Sequence, residues 1–356
     1  MRLISLTKSL EANAVYTGFK GELVSIPLVG VAVHDGINQG GTVLTKQAEL
    51  NRNGVDNIVR NSNFAFEQNG DIWMNNSGNT YISDGWYMQH SGGSTSNAAR
   101  LSGWEPTLNQ ATSLRITTFS GGGPDAFSLL SQRYARLRRY AGRVMTISYW
   151  IKANIKTSIS GECGLTFADV GTTNRNTSIN RVTLQANVWT KVEQTFTVPT
   201  ITGTDVVDDS QDHMYIYFWL DAGDNYNDRT GGILPFTGTF DIGNIKVEYG
   251  TQATAYNTMS YRDEEKKVQE YFEKSSLIRY FAPFAVTNPG SSCGLNVSFG
   301  NTKWNTSPNI TFATSFIDSL SLGGKDQFGF TLNGIANSGG STARLSTYTA
   351  NSELTP

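Results

Sequence analysis

Charge is scarce in this chain of 356 residues: Asp, Glu, Lys and Arg make up 16% and leave a formal net charge of −2. A protein that neutralises nucleic-acid phosphates needs a basic excess, so a nucleic-acid role is excluded. Cysteine is limited to Cys163 and Cys293, which lie in what read as different domains. Disulfide staples therefore do not explain stability, and folding in a reducing cytosol is no handicap. The three histidines, His34, His90 and His213, are scattered. No H-E-x-x-H, C-x-x-C, P-loop or G-x-S-x-G pattern occurs, so neither a zinc site nor a Ser-His hydrolase is supported. No run approaches the ~20 apolar residues of a membrane-spanning helix. Met1–Lys8 lacks the apolar core of a signal peptide, so the expectation is a soluble protein not exported by the general secretory route. No internal repeat and no sustained heptad run is present.

What the chain does contain is glycine and aromatics: 36 Gly, 15 Tyr and 18 Phe. Short strands joined by polar, Gly-rich turns produce that composition. Val144–Ile151 alternates and is β-branched and aromatic, which predicts a strand. Val182–Leu184, Trp189–Val198, Met214–Leu220 and the stretch from Phe240 to Tyr249 read the same way. Their spacing argues for an antiparallel β-sandwich. Ser131–Tyr134 is expected to lead through a short helical stretch to Tyr140. Residues 262–274 are expected to form a helix with Val268, Tyr271 and Phe272 on one side. Strands follow at Gly294–Phe299, Asn309–Phe312 and near the end of the chain.

The order of these pieces resembles bacteriophage tail fibre and receptor-binding proteins. Gly21-Glu-Leu23, Val33-His-Asp-Gly36 and the Gly40-Gly41 turn resemble the small N-terminal module of such fibres. Asn61-Ser-Asn-Phe64, Asp84-Gly-Trp86, Gln132-Arg133, the Val144–Ala153 strand, Trp189-Thr-Lys-Val192 and Asp241-Ile242 follow the order of a carbohydrate-binding-module-like jelly roll. Val268-Gln-Glu-Tyr-Phe-Glu-Lys274 stands where that family has its C-Q-R-Y-Y-E-K helix. Ser352-Glu-Leu354 stands where fibre tips end in Ala-Glu-Leu.

The resemblance implies a mainly β protein of three parts: a small N-terminal β module (1–57) for virion attachment, an antiparallel β-sandwich or jelly roll (58–257), and a C-terminal β-sandwich tip domain entered by a short helix (258–356). It further implies a homotrimer on the virion tail, assembled in the host cytoplasm. Its partners would be tail or baseplate proteins and host surface polysaccharide or lipopolysaccharide. The expected function is host adsorption by glycan binding, without catalysis. The alternative is a purely structural baseplate, collar or neck component using the same folds as spacers. A depolymerase is the enzymatic alternative, but enzymatic tailspikes usually carry a long β-helix, and the repeats for one are missing.

Sugars are held by aromatic faces with nearby carboxylates and amides for the hydroxyls. Trp73, Tyr87 and Trp104 lie between turn-rich stretches, and Asp224 and Tyr226 lie in the polar loop Asp221–Arg229. These five are the candidate glycan contacts. Trp86, Trp150, Trp189 and Trp219 sit in or beside apolar strands and read as core. No cofactor is expected beyond a structural calcium, which jelly-roll modules often bind and which the resemblance places at Glu67 and Asp241. The other reading of Asp241 is a buried, hydrogen-bonded carboxylate. The Asp221–Asp228 loop also carries the oxygen ligands calcium takes, though a solvated turn is the better reading of it. Arg133, Arg136, Arg138, Arg139 and Arg143 form a basic run, either a contact for anionic lipopolysaccharide or the solvated face of a helix with Leu130, Tyr134 and Leu137 inward. The loops 288–292, 323–326 and 337–341 are further recognition candidates.

Overall fold

The computed structural model describes residues 3–5, 23–26, 30–33, 42–46, 57–68, 80–167, 175–203, 212–275, 279–280, 292–299, 303, 308–315, 317–336 and 344–351. The chain divides into two compact units, Met1–Asn57 and Ile58–Pro356. In the first, β1 (Leu3–Ser5), β2 (Leu23–Ile26), β3 (Gly30–Val33) and β4 (Thr42–Lys46) form one sheet in that order. The pair β1/β2 is parallel, and β2/β3 and β3/β4 are antiparallel.

The second unit opens with a sandwich of eleven strands: β5 (Thr80–Ser83), β6 (Trp86–Ser91), β7 (Thr95–Glu105), β8 (Gln110–Phe119), β9 (Phe127–Ala135), β10 (Val144–Ala153), β11 (Thr157–Thr166), β12 (Arg175–Leu184), β13 (Thr190–Thr197), β14 (His213–Ala222) and β15 (Gly238–Tyr249). One sheet runs β13-β10-β15-β8-β7, the other β12-β11-β14-β9-β6-β5. All pairings within them are antiparallel, and the order gives a jelly roll. Side chains alternate across a strand, so each sheet has one face for the core. Met145, Ile147, Tyr149, Ile151 and Ala153 of β10 meet Met214, Ile216, Phe218 and Leu220 of β14 in that core. Each Ile, Leu, Met and Phe side chain among them contributes about 1.5–3 kcal/mol by leaving water. Cys163, a free thiol, lies there too, and burial raises its pKa.

The segment from Ser131 is not helical as expected. Leu130–Ala135 continue strand β9, and only a single 3₁₀ turn, Leu137–Arg139, follows. Arg133 is buried on the strand, whereas Arg136, Arg138, Arg139 and Arg143 are exposed, so the basic run is not one helical face.

Helix α1 (Tyr261–Gln269) is shorter than expected, because Phe272–Ser275 is strand β16, paired with the late strand β22 (Arg344–Asn351). Ser260 caps α1 by accepting from Asp263 N–H at 3.2 Å, as an N-cap serine should. Strands β17 (Arg279–Tyr280) and β19 (Asn309–Ser315) also pair with β22. A second sheet holds β18 (Ser292–Ser298), β20 (Ile317–Lys325) and β21 (Gly329–Ala336) in the order β18-β21-β20. Val297, Phe330, Leu332, Leu345, Tyr348 and Ala350 are the core between them. Among the described residues no helix is long and apolar enough to cross a membrane.

The helix is tied to the sandwich opening. Glu264 accepts from Ser62 N–H at 3.3 Å, and Tyr271 lies under the Arg60 guanidinium at 3.5 Å. Burial raises the Glu264 pKa above its ordinary 4.5, against the opposing pull of Lys267 and the Ser62 and Asn61 amides. A raised carboxylate pKa means the folded state holds its proton longer than the unfolded state does. Stability therefore falls as pH climbs from about 4.5 through the folded value. Glu264→Gln is expected to flatten that fall, leaving the protein at least as stable as wild type at pH 7, as measured by urea titrations across pH 4–7.

Candidate functional site

The face of the six-stranded sheet turned away from the core is built from every second residue of its strands. On β14 these are Tyr215, Tyr217 and Trp219, since Met214, Ile216, Phe218 and Leu220 enter the core. Strand register carries them into rows. Tyr81, Tyr87, Ser131, Tyr217, Glu162 and Ser178 follow one another across β5, β6, β9, β14, β11 and β12. The next row is Arg133, Tyr215, Gly164 and Asn176, and the row on the other side includes Gln89, Leu129, Trp219 and Ser160.

Glycine makes this furrow possible. A Cβ on Gly164 would stand 2.2 Å from the Tyr215 hydroxyl and 2.7 Å from the Arg175 carbonyl. Tyr215 therefore lies against β11, stacked on Tyr217 with ring centroids 4.1 Å apart. Its hydroxyl donates to Glu162 Oε1 at 2.9 Å. Burial, then the Glu162 carboxylate, push the Tyr215 pKa upward, so the phenol stays a donor. Gly164→Ala is expected to lift Tyr215 off the strand, costing about 1–3 kcal/mol as an overpacking change. A chemical denaturation midpoint compared with wild type checks it.

Glu162 is fully buried and takes a two-pronged contact from Arg229, Nε to Oε2 at 2.8 Å and Nη2 to Oε1 at 2.7 Å. A buried carboxylate needs such a partner, and the planar guanidinium fork fits it. Arg229 comes from a strap, residues 223–236, that leaves β14 and passes over β11 and β12. Its α-helical turn, Asn227–Thr230, is held by Ser178 Oγ donating to the Asp228 carbonyl at 3.5 Å, while Arg181 donates to the Gly232 carbonyl at 2.7 Å. The Arg229 guanidinium stands 4.9 Å over Trp219, and Tyr226 packs on Trp219 at 5.3 Å and on Phe127 at 5.1 Å. At the other end, Arg133 lies 4.9 Å over Tyr87. Trp219 Nε1 and Ser160 Oγ, register partners on this face, are buried without a hydrogen-bond partner among the described residues. Such groups are costly unless something satisfies them.

The sequence-level candidates are distributed unevenly over this geometry. Tyr87 is on the face but only 1% exposed, beneath Arg133, so it packs and offers no ring to a sugar. Tyr226 is half-buried and covers Trp219 instead of standing free in a loop. Asp224 is exposed at the start of the strap. Trp73 lies outside the described residues, as do positions 288–291 and 337–341 of the recognition loops. Gly323–Lys325 belong to β20, and Asp326 folds back on the turn, accepting from Phe328 and Gly329 N–H at 2.7 and 3.0 Å.

Trp104 is on the other sheet, 65% exposed near the tip of the β7–β8 hairpin. Trp150 and Trp189 are half-buried, not core as expected, because the alternation that puts Tyr149 and Ile151 inside puts Trp150 outside. Lys152 Nζ stands 4.8 Å over the Trp189 ring. Neighbouring Glu105 is slightly raised in pKa by burial, but the Thr107 amide, Trp189 and Lys152 outweigh this and hold it below 4.5. Trp86 is in the main core, whereas Trp219 is buried in the separate cluster of Leu129, Ala222 and Ile233.

The calcium expectation at Glu67 and Asp241 does not fit. Asp241 accepts from Arg115 at 2.7 and 2.9 Å and from Lys152 at 3.0 Å, so both oxygens already face cations. Burial raises the Asp241 pKa, yet Arg115 and Lys152 pull it below the ordinary 3.8. Glu67 pairs with Arg100 at 3.4 Å. In the Asp221–Asp228 loop, Asp221 is buried and accepts from Ser94 Oγ at 2.7 Å and Phe236 N–H at 2.8 Å. No group of three or more metal-ligating side chains occurs among the described residues.

No protein-family model and no curated protein sequence matches this chain. Among solved structures it is similar to the CBM22-2 xylan-binding domain of Paenibacillus barcinonensis Xyn10C, at 16% identity and a TM-score of 0.31, over 47% of this chain and 92% of that one. A CBM4 module matches at 19% identity and a TM-score of 0.31, over 54% and 99% of the two chains. The enzymatically active domain of bacteriophage CBA120 tailspike protein 4 matches at 15% identity and a TM-score of 0.32, over 55% of this chain but 21% of that one. Likenesses this remote carry no functional weight, and the jelly roll stands on its own strand pairing.

Proposed function

We propose that this chain is a bacteriophage tail fibre or tail-tip protein that attaches to host surface glycan by reversible binding and performs no catalysis. The observation that carries the reading is the furrow on the six-stranded sheet. Its half-buried Tyr217, stacked on buried Tyr215, shares a face with the partly exposed Arg229 and with unsatisfied donors on Trp219 and Ser160. Aromatic faces suit the C–H side of a pyranose, and the polar groups suit its hydroxyls. The order of sequence elements supports placing the chain on a virion tail, with the N-terminal module toward the tail and three copies associating. A weak single site then gains from multivalency.

Fluorescently labelled protein applied to a panel of intact bacteria tests this. Saturable adhesion that periodate oxidation of the cell-surface sugars abolishes is the expected result. Absence of adhesion to every strain by a folded protein would favour the spacer role in the virion. Release of reducing sugar ends would favour a depolymerase.

A further inference from the structure

A second group of unsatisfied polar atoms lies on the opposite sheet, remote in register from the furrow. Both amide atoms of Gln110, a residue 7% exposed, lack a hydrogen-bond partner among the described residues, and so does Oδ1 of buried Asn244. Both border Gly243, Gln110 by its side chain and Asn244 as the next residue. A Cβ there would stand 3.1 Å from Gln110 Nε2 and 2.8 Å from Leu108 Cδ1. Asn244 has a positive φ of 54° and donates from Nδ2 to the Leu108 carbonyl at 2.8 Å. Gly243 is also the register partner of Trp150, whose half-buried indole lies on the outer face.

The cover is the tip of the β7–β8 hairpin. Its ladder slips between Ser102 and Glu105, where Gly103 adopts φ 138° with no atom within 4 Å of a would-be Cβ. That is a bulge with free space around it, suited to act as a hinge. Trp104 rides on the tip, 65% exposed.

We infer that the Gly103–Asn109 tip closes over a second saccharide subsite, with Gln110 and Asn244 as amide readers and Trp150 and Trp104 as ring faces. Two amides present donors and acceptors together, which matches the paired donor and acceptor character of vicinal hydroxyls. The ligand is a neutral sugar, because the cations around the site are already balanced. Arg115 and Lys152 share Asp241, and Glu105 lies beside Lys152. The site lies outside the furrow, so the sandwich would hold glycan on both faces.

Two readouts on the full-length chain test this. Retention in native gels containing dextran, mannan, galactan, β-1,3-glucan or mixed-linked β-glucan is measured in a Tyr217→Ala background, which weakens the furrow. At least one polysaccharide is expected still to retard the protein, with Trp104→Ala or Gln110→Ala weakening that retention tenfold or more. Thermal unfolding of Gln110→Leu is the second: the melting temperature is expected to rise, since an unsatisfied amide is replaced by an apolar group of similar size. Retention by no polysaccharide, retention indifferent to both variants, or a lowered melting temperature overturns the inference. So does a change of oligomeric state in the variants, which would make this face a contact between copies. Failure here with periodate-sensitive cell adhesion intact leaves the attachment reading standing.

Discussion

Arg229→Ala is expected to lower the free energy of unfolding by about 3–5 kcal/mol, the cost of leaving one member of a buried ion pair without its partner. Glu162 has no exposed surface, and Arg229 supplies both of its charged contacts, at 2.7 and 2.8 Å. Without the guanidinium, only the Tyr215 hydroxyl at 2.9 Å and Asn176 at 3.4 Å remain for the carboxylate. Glu162→Ala is expected to cost less, about 2–3 kcal/mol, because the arginine left behind is 36% exposed and rehydrates. Urea titrations of the two variants check the order. A purely surface salt bridge would give about 1 kcal/mol or less for both.

The second large effect concerns binding. Tyr217→Ala is expected to weaken glycan affinity about 10–100-fold, equivalent to about 1.4–2.8 kcal/mol. Tyr217 is half-buried at the middle of its row, stacked on Tyr215 and flanked in register by Ser131 and Glu162. It faces away from the main core, so truncation removes a ring from the furrow and leaves the jelly roll standing. Tyr217→Phe keeps the stack and loses one hydroxyl, and a several-fold effect is expected. Burial raises the Tyr217 pKa even though Arg133 pulls the other way, so binding through this hydroxyl is expected to be flat from pH 6 to 9. Titration calorimetry over that range reads all three effects.

The strands were legible because alternation is a local property. Val144–Ala153 and Met214–Leu220 show period two in their own residues, and the sandwich follows from several such runs. Ser131–Tyr134 misled because arginines and apolar residues also fit a helical face, and pairing with β14 and β6 decided for strand. Helix α1 ends early for the same kind of reason, since β22 recruits Phe272–Ser275 into a sheet.

The furrow was legible only in part. The signal was the spacing of Tyr215, Tyr217 and Trp219 at every second position, which puts three large rings on one face. Assigning Trp219 to the core, as a residue in or beside an apolar strand, hid it. Glu162 carried no signal, because its role depends on Arg229, 67 residues away, and on a glycine that lets Tyr215 lie flat. Isolated exposed tryptophans were easier to suspect. Trp104 proved exposed, while Tyr87 and Tyr226 became packing residues once neighbouring strands and the strap lay over them.

The most direct test of the central claim is a calorimetric titration of the full-length protein and its Tyr217→Ala variant. The titrant is surface polysaccharide extracted from a bacterium to which the wild type adheres. Saturable binding by the wild type, at least tenfold weaker in a variant with an unchanged circular dichroism spectrum, is the result this account predicts. Equal binding by both proteins, or binding by neither, would contradict it.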